Sequence, residues 1–153
     1  MPKNRHATLF VIDILFALEK IKDYSKSIEI PDDLMNDEMA FDAIIKQLEN
    51  IGESIKYILN FEPNTSFIKK EWRAISDLRN IIVHEYFDID FLEIFKILKY
   101  DLPVFEKEFF DFVKKIKNDV FLQKALVAKK YELEKYNLRK RLHLLQKIEK
   151  LLV

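Results

Sequence analysis

The clearest structural signal in the sequence is FDAIIKQLENIGESIKYI, residues 41–58. Apolar residues recur in it at steps of three and four, which is the period of one helix face. They are Phe41, Ile44, Leu48, Ile51, Ile55 and Ile58. An apolar stripe of this length predicts a long helix that packs against a partner helix.

The composition of the 153-residue chain favours helices throughout. One glycine and four prolines leave little material for the tight turns that β-hairpins need. Hydrophobic residues make up 49% and charged residues 34%, which is typical of a globular domain with its own core. The absence of cysteine excludes disulfides and thiolate metal sites.

Two helices are predicted in the N-terminal part of the chain. The first covers about residues 7–26 and is apolar on most of its surface, so we expect it at the centre of the fold. Residues 27–33, which include Pro31, end it. The helix with the apolar stripe then begins near Asn36, a residue type that commonly caps helices.

Two further helices are predicted in the middle of the chain. The third follows a polar break at residues 63–66 and contains Trp72, which we interpret as a core or interface anchor. The fourth begins near Asp88 or Asp90, and Asp90 has an acidic residue at capping-box spacing after it. Pro103 is expected to kink or restart this helix because proline has no N–H to donate.

The C-terminal part is predicted to form one long helix over about residues 118–150. Apolar residues fall near heptad positions there, although charged residues interrupt the seam. The seam consists of Phe121, Ala128, Tyr131, Leu138, Leu142, Leu145 and Leu152. The predicted fold is therefore all-α, with an antiparallel bundle of four to five helices in residues 1–117 and a basic helical extension in residues 118–153.

The net charge of zero hides an uneven distribution. Residues 1–113 carry 14 Lys/Arg and 22 Asp/Glu, whereas residues 114–153 carry 12 and 4. A basic segment after an acidic body indicates either an anionic partner or a segment that docks on its own domain. Composition leaves both possibilities open.

The longest apolar run, residues 9–18, is interrupted by Asp13 and is too short to cross a membrane. No small-residue cleavage site follows it, so it does not resemble a signal peptide. We expect a cytoplasmic protein that has no membrane partner.

One segment concentrates side chains that can carry chemistry. It is DLRNIIVHEYFD, residues 77–88, and it places Arg79, Asn80, His84 and Tyr86 within eight residues. Histidine titrates near neutral pH and can move the proton of a ribose 2′-hydroxyl. Arginine's planar fork of donors can stabilise charge that develops on a phosphate. Arg79 and His84 are therefore suited to cleaving RNA without a metal.

The same residues also have a structural interpretation. A histidine at a helix end commonly caps carbonyl groups, and ion pairs of arginine with Asp or Glu are common on helix surfaces. The three histidines, His6, His84 and His143, are far apart in the sequence and make a poor metal cluster. No metal and no cofactor are predicted.

The motif resembles that of the HEPN superfamily, in which an arginine is followed by four to six residues and a histidine. It is most similar to the HepT branch, where an asparagine follows the arginine and a tyrosine lies two positions after the histidine. Arg79-Asn80 and His84-Glu85-Tyr86 match this longer pattern. Further matches are FDA at 41–43, LENIGE at 48–53, Trp72 and FDID at 87–90. The similarity covers about residues 7–115 and leaves out the C-terminal helix.

The resemblance implies an RNA endonuclease that serves as the toxin of a toxin–antitoxin pair. In such an enzyme Arg79 would bind the scissile phosphate, His84 would act as base or acid, and Asn80 would orient them. Two copies would form a homodimer with their motifs facing each other across a cleft. Tyr86 matches the tyrosine to which a nucleotidyltransferase antitoxin of the MntA type attaches AMP.

Two other functions stay open at this point. A non-catalytic HEPN module would bind a nucleotide or a partner protein and dimerise, although the presence of both Arg79 and His84 favours the enzyme. Alternatively, the basic C-terminal helix would act as a membrane-surface or coiled-coil element. Its leucines favour contact with protein over contact with lipid.

Overall fold

The computed structural model describes residues 7–61, 72, 76–77 and 90–153. The regular structure in these residues is helical, and the predicted all-α bundle is confirmed. Its helices are α1 (Ala7–Tyr24), α2 (Pro31–Asn36), α3 (Glu38–Phe61), α4 (Phe91–Lys96), α5 (Leu102–Lys115), α6 (Val120–Lys135) and α7 (Arg139–Leu151), with a π-helical turn, Ile97–Asp101, between α4 and α5.

Helix α1 is the central element, as its sequence predicts. Buried residues run along it from Thr8 to Ile21 and include nearly every position of the middle turns. Helix α3 makes the most extensive contact with α1, and α6 and α7 also pack against it. All six residues of the apolar stripe on α3 are buried, so the predicted partner helix is α1. In the described part of the chain, no helix combines the length and apolar character needed to span a membrane.

A short helix, α2, lies where the sequence predicts only a break between two helices. Pro31 was expected within a break, but it is the first residue of α2. Proline is favourable at this position because the backbone N–H of a first helical residue has no acceptor within the helix. Asn36 is the last residue of α2 and not a cap. The cap of α3 is Asp37, whose side chain accepts a hydrogen bond from the backbone N–H of Ala40 at 2.9 Å.

The helix that carries Pro103 begins where the sequence predicts, and a π-helical turn interrupts it ahead of the proline. Asp90 caps α4 by accepting a hydrogen bond from the backbone N–H of Leu92 at 2.9 Å. Pro103 is the second residue of α5. Because proline cannot donate to the carbonyl of Lys99 four residues earlier, the backbone widens there into the π-helical turn and then continues.

The C-terminal region is a helical hairpin, so the prediction of one long helix is wrong. The chain turns between Lys135 and Arg139, and Asn137 adopts a φ of 54° there, a left-handed conformation that a short polar side chain tolerates. The predicted heptad seam is also wrong in α6, where Phe121 and Tyr131 are 56% and 69% exposed. The buried residues of α6 are Leu122, Ala125, Leu126 and Leu133.

This basic hairpin docks on its own domain. Lys140 of α7 forms a salt bridge of 3.1 Å with Asp23 of α1. Lys129 of α6 lies over the ring of Phe16 on α1, 5.5 Å from its centroid. Docking of the basic segment on its own domain was one of the two explanations that the charge distribution left open. The domain boundary at residue 118 stays a prediction.

Candidate functional site

The predicted site residues Arg79, Asn80, His84 and Tyr86 lie outside the described residues. The structure does describe residues on both sides of them. These residues show how the chain is held before and after the segment 78–89.

Trp72 anchors the chain ahead of the motif. Its side chain is 1% exposed, which confirms its interpretation as a core residue. The indole packs against three rings of α5, with centroid distances of 5.6 Å to Phe105, 5.4 Å to Phe109 and 5.5 Å to Phe112. Two of these contacts are edge-to-face, a favourable geometry for aromatic rings. The chain is thereby held against α5 at a point seven residues before Arg79.

The chain after the motif is fixed at the start of α4. Asp90 caps this helix, and the next residue, Phe91, packs against Phe41 with a centroid distance of 4.6 Å. Since Phe41 begins the apolar stripe of α3, this contact ties α4 to the N-terminal end of the long helix. Helix α2 packs against α4 as well. The motif segment therefore runs between two anchor points in the apolar core.

Two residues of α3 that the motif comparison includes have clear positions. Gly52 is buried, and its φ is not positive, so the backbone does not require a glycine there. Its missing side chain instead allows the helix to pack closely against its neighbour. Glu53 is partly buried and lines a cavity beside α1.

Two charged groups of α1 tie this helix to its neighbours. Burial disfavours the charge of Lys22, but hydrogen bonds to Glu106 of α5 and to Glu19 outweigh burial and raise its pKa. Hydrogen bonds from Lys26 and Lys140 lower the pKa of Asp23. Both arrangements join helices and involve no group of the predicted site.

A second polar feature lies where α1, α3, α6 and α7 meet. It is a cavity of about 260 Å³, and three cations from three helices line it: Lys20 of α1, Lys129 of α6 and Arg141 of α7. Local sequence patterns do not predict these three residues, because the cavity forms only when helices distant in sequence pack together. The excess of basic residues after residue 113 is the one signal in the sequence that relates to them.

Lys20 experiences the positive charge of this cavity directly. Burial lowers its pKa, and the charges of Arg141 and Lys129 lower it further, while Asp13 acts in the opposite direction with a smaller effect. The two neighbouring cations therefore lower the pKa of Lys20 more than the carboxylate of Asp13 raises it.

Among the residues that the structure describes, no three His, Asp or Glu side chains come together as metal ligands.

Comparison with known proteins places the motif in a family context. The family model "Ribonuclease HepT-like" matches residues 14–116, a span that contains the whole motif and ends before α6. A Methanocaldococcus jannaschii protein named "Putative RNase" is 36% identical over 105 residues, which cover 69% of this chain and 94% of that protein.

Two further relatives have similar coverage. A second "Putative RNase" of Methanocaldococcus jannaschii is 29% identical over 116 residues, covering 76% of this chain and 93% of that protein. A Thermococcus cleftensis protein named "Probable ribonuclease HepT" is 31% identical over 100 residues, covering 65% and 89%. No solved structure matches the chain.

Proposed function

Because the chain belongs to the HepT-like ribonuclease family, we propose that it is a cytoplasmic RNA endonuclease with Arg79 and His84 at the reacting phosphate. The observation that carries the proposal is the family match over residues 14–116, which encloses both residues within the Arg-Asn and His-Glu-Tyr pattern. The names of the relatives refer to the same class of activity.

The proposed reaction needs no metal. His84 takes the proton of the ribose 2′-hydroxyl, and the resulting oxygen attacks the adjacent phosphorus. The bond from phosphorus to the 5′-oxygen breaks, and that oxygen is protonated as it leaves. Arg79 stabilises the charge on the non-bridging oxygens, and Asn80 orients the pair. The products are a 2′,3′-cyclic phosphate and a 5′-hydroxyl.

The anchors on both sides of the motif support such a mechanism. Acid–base catalysis depends on holding the reacting groups close to one geometry. Trp72 fixes the chain before Arg79, and the Asp90 cap together with Phe91 fixes it after Tyr86. A segment whose two ends are fixed by aromatic contacts with the core is a suitable support for a catalytic pair.

We place this enzyme in a toxin–antitoxin pair as a homodimer whose two motifs face one cleft. Its inhibitor is a nucleotidyltransferase of the MntA type that attaches AMP to Tyr86. The added phosphate would bring negative charge beside Arg79 and compete with the substrate.

Tyr86→Phe should keep nuclease activity and escape inhibition by the nucleotidyltransferase with ATP. An inhibited complex whose Tyr86 is unmodified by mass spectrometry would contradict this mode of control, and a monomer in light scattering would contradict the homodimer.

The function itself is tested by incubating the purified chain with RNA in the presence of EDTA. We expect cleavage to products ending in a cyclic phosphate, and Arg79→Ala should slow it by about 100-fold or more. Activity that EDTA abolishes and magnesium restores would refute the metal-independent mechanism. A chain that dimerises but cleaves no RNA would instead be the non-catalytic binding module.

A further inference from the structure

The polar cavity between α1, α3, α6 and α7 continues into a second one. This second cavity, of about 410 Å³, lies between the end of α1 and the start of α7. Lys20 and Arg141 line both, so the two cavities adjoin. We refer to them together as the basic groove.

Cationic side chains outnumber carboxylates along the basic groove. The cations are Lys20, Lys129, Arg139, Lys140 and Arg141, and the carboxylates are Asp13, Asp23 and Glu53. Asp23 is already engaged by Lys140 at 3.1 Å and by Lys26 at 2.7 Å. The groove therefore has a net positive charge.

The floor of the groove offers neutral hydrogen-bonding groups. Gln47, Asn50 and Ser54 line it from one face of α3, and Gln47 and Ser54 are only 9% and 4% exposed. The amide of Asn50 donates to the side-chain oxygen of Gln47 at 3.5 Å. Polar side chains placed this deeply in an apolar bundle are costly unless they are hydrogen-bonded. Together with the cations they suit a ligand that has several negatively charged oxygens.

We propose that the basic groove binds backbone phosphates of the RNA substrate through Lys20, Lys129 and Arg141. The proposal rests on the ribonuclease function proposed above, and it gives the C-terminal hairpin a role in holding substrate. Lys129 and Arg141 belong to that hairpin and lie beyond residue 116, where the family match ends. The contact is therefore a feature of this chain's extension and not of the family motif.

A polymer fits the groove better than a free nucleotide does. The cations line two adjoining cavities, and Lys140 and Arg141 are exposed to solvent. Single-stranded nucleic acids are commonly bound in such open positive grooves that track the backbone. A mononucleotide would use one phosphate cluster and leave the rest of the groove empty.

The test separates binding from cleavage by using a fluorescein-labelled, 2′-O-methylated RNA, which cannot form the cyclic phosphate. Fluorescence anisotropy over a range of KCl concentrations gives its affinity for the wild type and for K129E/R141E. We expect the variant to bind about tenfold more weakly or worse, and the salt dependence of log K to fall by about 0.7 for each lost phosphate contact. Circular dichroism checks folding, and Arg141→Gln, a change at an exposed side chain, provides a milder second variant.

The matched control is K130E/K147E. It changes the same helices by the same charge, but both lysines are exposed and neither lines the groove. It should bind the RNA within about twofold of the wild type, because exposed charges outside the contact are screened by salt. Equal weakening by both double variants, or no weakening by K129E/R141E, would overturn the proposal.

Two further comparisons separate the sources of phosphate and the two proposals. If calorimetry shows that ATP or inorganic phosphate binds and that K129E/R141E loses this binding while keeping its RNA affinity, the assignment to RNA is overturned. If RNA binding depends on the groove but Arg79→Ala and His84→Ala leave RNA cleavage unchanged, the proposed catalytic function fails and the groove stands. If cleavage needs Arg79 and His84 but RNA binding does not depend on the groove, only the proposal for the groove is overturned.

Discussion

Trp72→Ala is the substitution expected to destabilise this fold most among single changes near the motif. The indole is 1% exposed and contacts three phenylalanines of α5 at 5.4–5.6 Å. Truncating a buried tryptophan to alanine typically costs about 3–5 kcal/mol, since burial is lost and a cavity remains. Each aromatic contact contributes about 0.5–1.5 kcal/mol beyond burial, so we expect a value in the upper half of that range.

A loss of this size is a large share of the total stability of a small domain, about 5–15 kcal/mol. Urea denaturation measures the loss of stability, with far-ultraviolet circular dichroism as the signal. Tryptophan fluorescence is unsuitable because the chain has a single tryptophan, which the variant lacks. Trp72→Phe should recover part of the loss.

The control for this substitution is Tyr131→Ala, which removes an aromatic ring that is 69% exposed on α6. Its effect should stay within about 0.5 kcal/mol. If Trp72→Ala cost less than about 1 kcal/mol, Trp72 would not be the anchor that holds the chain ahead of the motif against α5.

Three further predictions concern single interactions. The backbone N–H groups of Glu29 and Ile30 hold the pKa of Asp33 below its ordinary value of 3.8, so Asp33→Asn should lower the urea midpoint at pH 7, and its difference from the wild type should shrink as the pH falls below 3.8. Asn137→Gly should leave the melting temperature unchanged or raise it, whereas Asn137→Val should cost about 1–2 kcal/mol, because a φ of 54° is unfavourable for a branched side chain. Lys22→Met should cost at most about 1 kcal/mol near neutral pH, since the side chain is half exposed, and the difference should vanish at pH values above the raised pKa of Lys22.

The central helices could be predicted from sequence because their apolar patterns are strong. Two helices expose apolar faces that must be buried: α3 through its stripe from Phe41 to Ile58, and α1 through most of its surface. They bury these faces by packing against each other. The errors arose where a local signal allows two outcomes. Proline disrupts the interior of a helix but is also favourable in its first turn, where Pro31 lies. The turn at Asn137 contains neither glycine nor proline, the residues that usually indicate a turn.

The candidate sites differ in how far the sequence could predict them. Arg79, Asn80, His84 and Tyr86 are close together in the chain, so the sequence presents them as one cluster, and the resemblance to the HepT branch identifies that cluster as a motif. They lie outside the described residues, and their roles stay predictions. Lys20 and Arg141, in contrast, are far apart in sequence and meet only because the hairpin of α6 and α7 packs on α1. Nothing in local patterns predicts that arrangement.

The most direct test of the proposed function compares two histidine variants in single-turnover RNA cleavage. His84→Ala should lower the rate constant by about 100-fold or more, the usual contribution of a general base. His143→Ala removes an exposed histidine of α7 that lines neither cavity and should cleave at the wild-type rate. A His84→Ala variant that cleaves as fast as the wild type would contradict the assignment of the catalytic residue and, with it, the proposed mechanism.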